Sequence, residues 1–216
     1  MKLNILIVFL IVLFYGCSFK APENQWEYNS SSAFSSYTKS FLSADIDLAK
    51  DDLNRAIKYA KQSANLNQLG RIYLGSCALN ISVGEDDKCL QFKQIEELIS
   101  SKELNAYYLM LQNKIKKEQI ELLPKQYQTF EKYNLEKNYE LLFESIKSIK
   151  QVSSQFIAAS LVKKQLKKED IKYLIDKASF YGYKSLVLYW LNYLYKIEND
   201  INQKQLLLKK IQILKQ

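Results

Sequence analysis

The chain has no histidine, five glycines, two prolines and three cysteines in 216 residues. Without histidine there is no Ser-His or Cys-His nucleophile pair, which removes acyl transfer by its usual parts. A zinc site of ordinary composition lacks ligands for the same reason. So few glycines and prolines cannot supply the many turns of a β-sandwich or barrel, and neither a phosphate-cradling glycine loop nor a G-x-S-x-G turn is present. Leu, Lys, Ile, Gln, Glu and Ala abound instead, which predicts an all-α fold. Arginine is scarce as well: Arg55 and Arg71 stand against 29 lysines, a bias of the kind an AT-rich bacterial genome produces.

The net charge of +8 is unevenly placed. Residues 17–100 hold nine basic and eleven acidic side chains, and residues 101–216 hold twenty-one lysines and twelve acids, so the two parts carry −2 and +9. Lysines spread over solvated helix faces account for most of this, with an anionic envelope surface as a possible partner of the basic half. Nucleic acid is not an expected partner, because the N-terminus directs the chain out of the cytoplasm.

That direction comes from Met1 to Cys17, MKLNILIVFLIVLFYGC. Lys2 precedes an apolar run from Ile5 to Tyr15, the arrangement of a secretory signal, and the run is shorter than the ~20 residues of a membrane helix. Gly16-Cys17-Ser18 then resembles the lipobox of bacterial lipoproteins, although Phe14 and Tyr15 stand where that family has leucine and a small residue. The resemblance implies cleavage after residue 16, lipid on Cys17, and anchorage in the outer membrane facing the periplasm. Residues 17–32, polar, aperiodic and carrying Pro22, read as a lipidated tether, and residues 33–216 as the folded domain. Trp26 is expected to dock on the first helix or to rest at the membrane. Within the tether, Glu27-Tyr28-Asn29-Ser30-Ser31 resembles the extended glycosylation sequon of Campylobacter-type bacteria, making Asn29 a candidate acceptor.

From residue 33 onward the periodicity predicts about ten to eleven helices. The first carries Phe34, Tyr37 and Phe41. The second begins at Asp45 and Asp47 and presents Leu48, Leu53, Ala56, Ile57, Ala60 and Ala64, an alanine-rich stripe that admits a close neighbour. The third, over 66–81, turns Leu69, Ile72, Tyr73, Cys77 and Leu79 inward. The rest are expected at 89–100, 104–117, 124–133, 136–149, 152–165, 169–181, 183–198 and 201–214. Short connections make these antiparallel hairpins. The acids Glu85, Asp86 and Asp87 lack calcium-loop spacing and are expected to cap the following helix. Cys77 and Cys89 bracket that turn. In an oxidising compartment the pair reads as a disulfide, the alternative being two buried thiols. No cofactor or metal is implied.

An internal comparison suggests a repeat. Ala56-Ile57-Lys58-Tyr59-Ala60 aligns with Ala178-Ser179-Phe180-Tyr181-Gly182, and at the same offset Leu69, Ile72 and Tyr73 meet Leu191, Leu194 and Tyr195. These runs, with Leu74-Gly75, Ala78, Leu186 and Trp190, resemble the tetratricopeptide and Sel1-like superfamily. The resemblance implies an α-solenoid of helix hairpins whose concave face binds a peptide or protein. The aromatics from Phe180 to Tyr195 are expected in the core or, as a second reading, on a binding platform. The last helix, with Lys204, Lys209 and Lys210 opposite its leucines, is expected to cap the array. As an enzyme, only a carboxylate-based glycosidase remains: Glu144-Ser145 resembles the start of the lytic transglycosylase motif, without that family's glycine-rich continuation. The expectation is a non-enzymatic scaffold or assembly adaptor for an envelope machine, with a purely structural envelope lipoprotein as the alternative.

Overall fold

The structure, a computed structural model, describes residues 24–216, so the expected signal segment 1–16 and the expected lipid site Cys17 lie outside the described residues. Among the described residues are eleven α-helices, three 3-10 segments and no strand, and none of the helices is long and apolar enough to cross a membrane. The fold is an all-α array of helix hairpins.

The first hairpin pairs α1 (Gln25–Leu42) with α2 (Ile46–Ala60). Helix α1 begins at Gln25 rather than 33, so the second half of the expected tether is helical. Its serines are contact residues: Ser30, Ala33, Tyr37 and Ser40 form one buried stripe, and the Ser30 hydroxyl donates to the Ala56 carbonyl at 3.0 Å. Asn29 therefore sits in a helix, its Oδ1 accepting from Gln25 Nε2 at 3.3 Å, and the flexible segment on which its glycosylation reading rested is not there. Trp26 is half-buried in the same helix. On α2 the buried stripe is Ala49, Asp52, Ala56 and Ala60, while Leu48 is exposed and Ala64 lies past the helix end. Small side chains win this face because α1 approaches too closely for leucine. Asp52 is held by Arg55 and by the Ser40 hydroxyl at 3.2 Å.

Helix α3 (Asn67–Ser82) is buried on nearly every side and packs against α1, α2 and elements of the later chain. Its Gly75 lets α1 close in: a Cβ there would lie 2.4 Å from the Phe34 ring. The expected single helix over 89–100 is broken into α4 (Leu90–Lys93) and a 3-10 turn, Glu96–Leu98. This segment trades helix for anchoring, setting buried Phe92 and Ile99 over Gly70 of α3. Helix α5 (Lys102–Leu111) is capped by Ser101 and ends before the expected 117; a 3-10 segment, Lys117–Leu122, then leads into α6 (Lys125–Leu135).

Helices α7 (Tyr139–Ser148) and α8 (Val152–Leu161) follow, and α8 is as deeply buried as α3, against which it packs. Gln155 of α8 is fully enclosed and donates to the carbonyls of Ile146 and Lys147 at 3.0 and 3.1 Å, closing the end of α7. Helices α9 (Lys168–Phe180), α10 (Lys184–Ile197) and α11 (Ile201–Lys215) complete the array. The Ser185 hydroxyl donates to the Phe41 carbonyl at 2.8 Å, joining α10 to α1 across 144 residues. Trp190 is fully buried, as the core reading of the aromatics requires, whereas Phe180 is 82% exposed. Helix α11 rests on α10 through Ile211.

Helices α2 and α9 begin at Ile46 and Lys168, 122 residues apart; of the aligned positions Ala56 and Ala178, Leu69 and Leu191, and Ile72 and Leu194 are buried alike, whereas Ala60 is buried and Gly182 exposed.

Candidate binding groove

Among the described residues five helices end on a left-handed residue: Ala44, Gly84, Asn113, Lys137 and Gly182. Each end carries the paired return bonds of a Schellman turn, as where Gly84 N–H reaches the Ile81 carbonyl at 2.9 Å and Glu85 N–H reaches Asn80 at 3.0 Å. Three of these ends, those of α3, α5 and α6, meet the C-terminus of α8 around one cleft of about 740 Å³. Convergence of four helix C-termini concentrates negative dipole ends there, and Lys137, Lys163 and Lys164 line the cleft beside them.

The acidic loop forms the facing wall. Glu85 and Asp86 are exposed on it, with Asp86 in an ion pair with Lys88. Asp87 does not cap a helix side-on as expected; one oxygen accepts the Cys89 N–H at 2.7 Å and the other the Asn80 side chain at 2.8 Å, folding the loop back on α3. Helix α4 has no side-chain cap: its N-cap residue Cys89, left-handed with φ 52°, has its sulfur in the disulfide with Cys77. The Cys77 and Cys89 sulfurs lie 1.97 Å apart as a disulfide, fastening this wall to α3. Cys77, Asp87 and Cys89 are also the one cluster of metal-type ligands among the described residues. With both sulfurs joined and both Asp87 oxygens engaged, the cluster is a structural knot.

Four amide side chains, Gln112, Asn113, Asn134 and Gln165, complete the lining. Each offers a donor and an acceptor, the same pairing that a peptide backbone offers. Asn134 is fixed by the buried Glu131, which accepts from it at 3.1 Å; burial pushes the Glu131 carboxyl up, partly offset by that bond. Beneath the cleft Ser160 donates to the Ser82 carbonyl at 2.9 Å, so this hydroxyl is already used. Tyr189 lies under Gly84, and burial pushes its phenol up to about 12.

Among the residues singled out from sequence, the acidic loop is brought to this groove, while Cys77 and Cys89 are buried outside its lining. Asn29 is elsewhere, on α1. Glu144 is on α7, mostly exposed and paired with Lys147 one turn on, and it does not line the groove. The lysines and amides of the groove escaped sequence reading, since they come from three helix ends, those of α5, α6 and α8, with no shared motif. No known protein family, curated protein or solved structure matches the chain.

Proposed function

We propose that the chain is an envelope lipoprotein, anchored through Cys17 in the outer membrane and facing the periplasm, that holds a segment of another envelope protein in this groove. The observation that carries the reading is the groove lining: amides and charges of both signs on four converging helix ends, with the acidic wall tied to α3 by a disulfide. Such a surface suits binding and orienting a polypeptide segment, through amide pairing and charges of both signs. We read the chain as a scaffold or assembly adaptor of the tetratricopeptide or Sel1-like kind. Its lysine-rich half faces an anionic envelope surface.

The test is site-specific photo-cross-linking in living cells from position 165, inside the groove, and from position 58, an exposed residue of α2 outside it. One discrete envelope protein captured at 165 and not at 58, and lost with Cys17→Ala, is the expected result. Equal capture at both positions, or none, would favour a structural lipoprotein without a peptide groove.

A further inference from the structure

A second cavity, of about 590 Å³, lies between α1, the start of α8 and the turn from α9 to α10. One wall is hydroxylated, by Ser31, Ser35 and Thr38 of α1. The opposite wall is aromatic: Tyr181 and Tyr183 stack with centroids 5.7 Å apart, and exposed Phe180 meets Tyr181 edge-on at 5.1 Å. Lys39 is the one charged residue of the lining among the described residues, and no carboxylate is present there.

The N-terminus of α8 opens into this cavity. Its N-cap Gln151 makes no side-chain cap; its oxygen instead accepts from the Ser154 hydroxyl at 3.3 Å. The first backbone bond of the helix runs from Gln155 N–H to the Gln151 carbonyl at 3.0 Å, so the N–H groups of Val152, Ser153 and Ser154 have no backbone acceptor. Ser153 lines the cavity, is 9% exposed, and has no hydrogen-bond partner for its hydroxyl among the described residues. Other buried serines nearby are engaged: Ser145 donates to the Leu142 carbonyl at 2.6 Å and Ser154 accepts from Gln126 at 3.0 Å. An unused hydroxyl, free helix-terminal amides and a lysine, converging without an acid among them, fit an anionic group.

The geometry points to a site for an acidic saccharide. The apolar face of a pyranose ring lies along the Tyr181–Tyr183 wall, and the ring hydroxyls exchange hydrogen bonds with Ser35 and take the proton of Ser31, whose oxygen already accepts from Gln68 at 3.2 Å. The carboxylate or phosphate substituent takes the α8 amides, the Ser153 hydroxyl and Lys39. This site is separate from the groove and does not depend on a protein partner there.

The full chain, purified in detergent, is titrated calorimetrically with N-acetylmuramic acid, glucose 6-phosphate, N-acetylglucosamine and inorganic phosphate. The expected result is saturable binding of one or both acidic sugars, about tenfold tighter than neutral N-acetylglucosamine, the difference a charge-assisted bond makes. Whichever of the carboxylated and phosphorylated sugars binds more tightly identifies the substituent. Ser153→Ala and Lys39→Gln should erode the acid preference, and Tyr181→Ala should weaken acidic and neutral sugars alike. Ser35→Glu, an exposed change that sets a negative charge on the wall, should abolish acidic-sugar binding with the unfolding midpoint unchanged. Absence of saturable binding, or acidic-sugar binding indifferent to Ser35→Glu, would overturn the assignment. So would inorganic phosphate binding as tightly as the sugars with Tyr181→Ala silent, since that describes an anion hole alone.

Discussion

The Ser160 hydroxyl donates to the carbonyl oxygen of Ser82 at 2.9 Å, joining the ends of two helices 78 residues apart in the chain. Both residues are buried, so the bond is also what keeps the α3 and α8 termini level at the floor of the groove. Ser160→Ala leaves a buried acceptor unpaired, and a loss of about 1–3 kcal/mol is expected in urea unfolding. A midpoint equal to that of the parent chain would show that water replaces the hydroxyl and that the tie is not structural.

The two left-handed glycines should respond differently to alanine. Gly182 has φ 67° with nothing within 4 Å of a new Cβ, so Gly182→Ala meets only backbone strain, about 1–2 kcal/mol. Gly84 has φ 87° and a new Cβ would fall 2.0 Å from the Tyr189 ring, adding overpacking of about 1–3 kcal/mol to the same strain. Thermal unfolding of the two variants side by side checks the order; equal midpoints would mean that Tyr189 moves aside freely.

Breaking the disulfide should loosen the acidic wall as well as the chain. Its cysteines are 12 residues apart, for which closure of the loop contributes on the order of 3 kcal/mol. The Cys77→Ser, Cys89→Ser double variant is expected to unfold at a lower temperature that no longer responds to reductant. Hydrogen exchange should rise most at residues 84–88. Unchanged protection there would show that Asp87 alone holds the loop.

Two glutamates give opposite pH slopes. Burial raises the Glu131 carboxyl, so the native chain holds this proton more tightly than the unfolded chain does. Its contribution is complete below the ordinary glutamate value of about 4.3 and is lost as pH rises through the raised native one. Glu131→Gln should therefore stabilise the chain at neutral pH and make no gain in acid. Glu198 is held down to about 2, first by the Lys168 hydrogen bond and then by the N–H of Asp200. Its contribution is present above about 4.3 and disappears as pH falls toward 2. Urea midpoints of Glu131→Gln and Glu198→Gln across that range test both signs, and parallel curves for the two variants would contradict the assignment.

Local pattern carried most of the secondary structure, because 3.6-residue periodicity and capping act within one helix. Asp45 accepts the Leu48 N–H as an N-cap should, and α7 to α11 start within three residues of their expected positions. The disulfide was legible for a related reason: two cysteines bracket one turn, so their meeting needs little of the rest of the fold. Where sequence reading failed, a distant partner decided. Ser30 and Asn29 read as tether until α2 gives Ser30 a carbonyl to bind. Leu48 yields its place to Ala49 because backbone proximity to α1 outweighs the burial of one leucine. Residues 89–100 abandon their helix because Phe92 and Ile99 gain more by reaching α3.

Composition and order along the chain determined that this protein is helical, hairpin-built, stapled once by a disulfide and without histidine chemistry. Those properties follow from residue types and near neighbours. Only the tertiary structure decided that four helix C-termini converge on one groove, and that an uncapped α8 N-terminus faces Lys39 and Tyr181. Both depend on long-range contacts such as Ser82 with Ser160 and Phe41 with Ser185, whose partners are brought together by packing and by no signal in the intervening sequence.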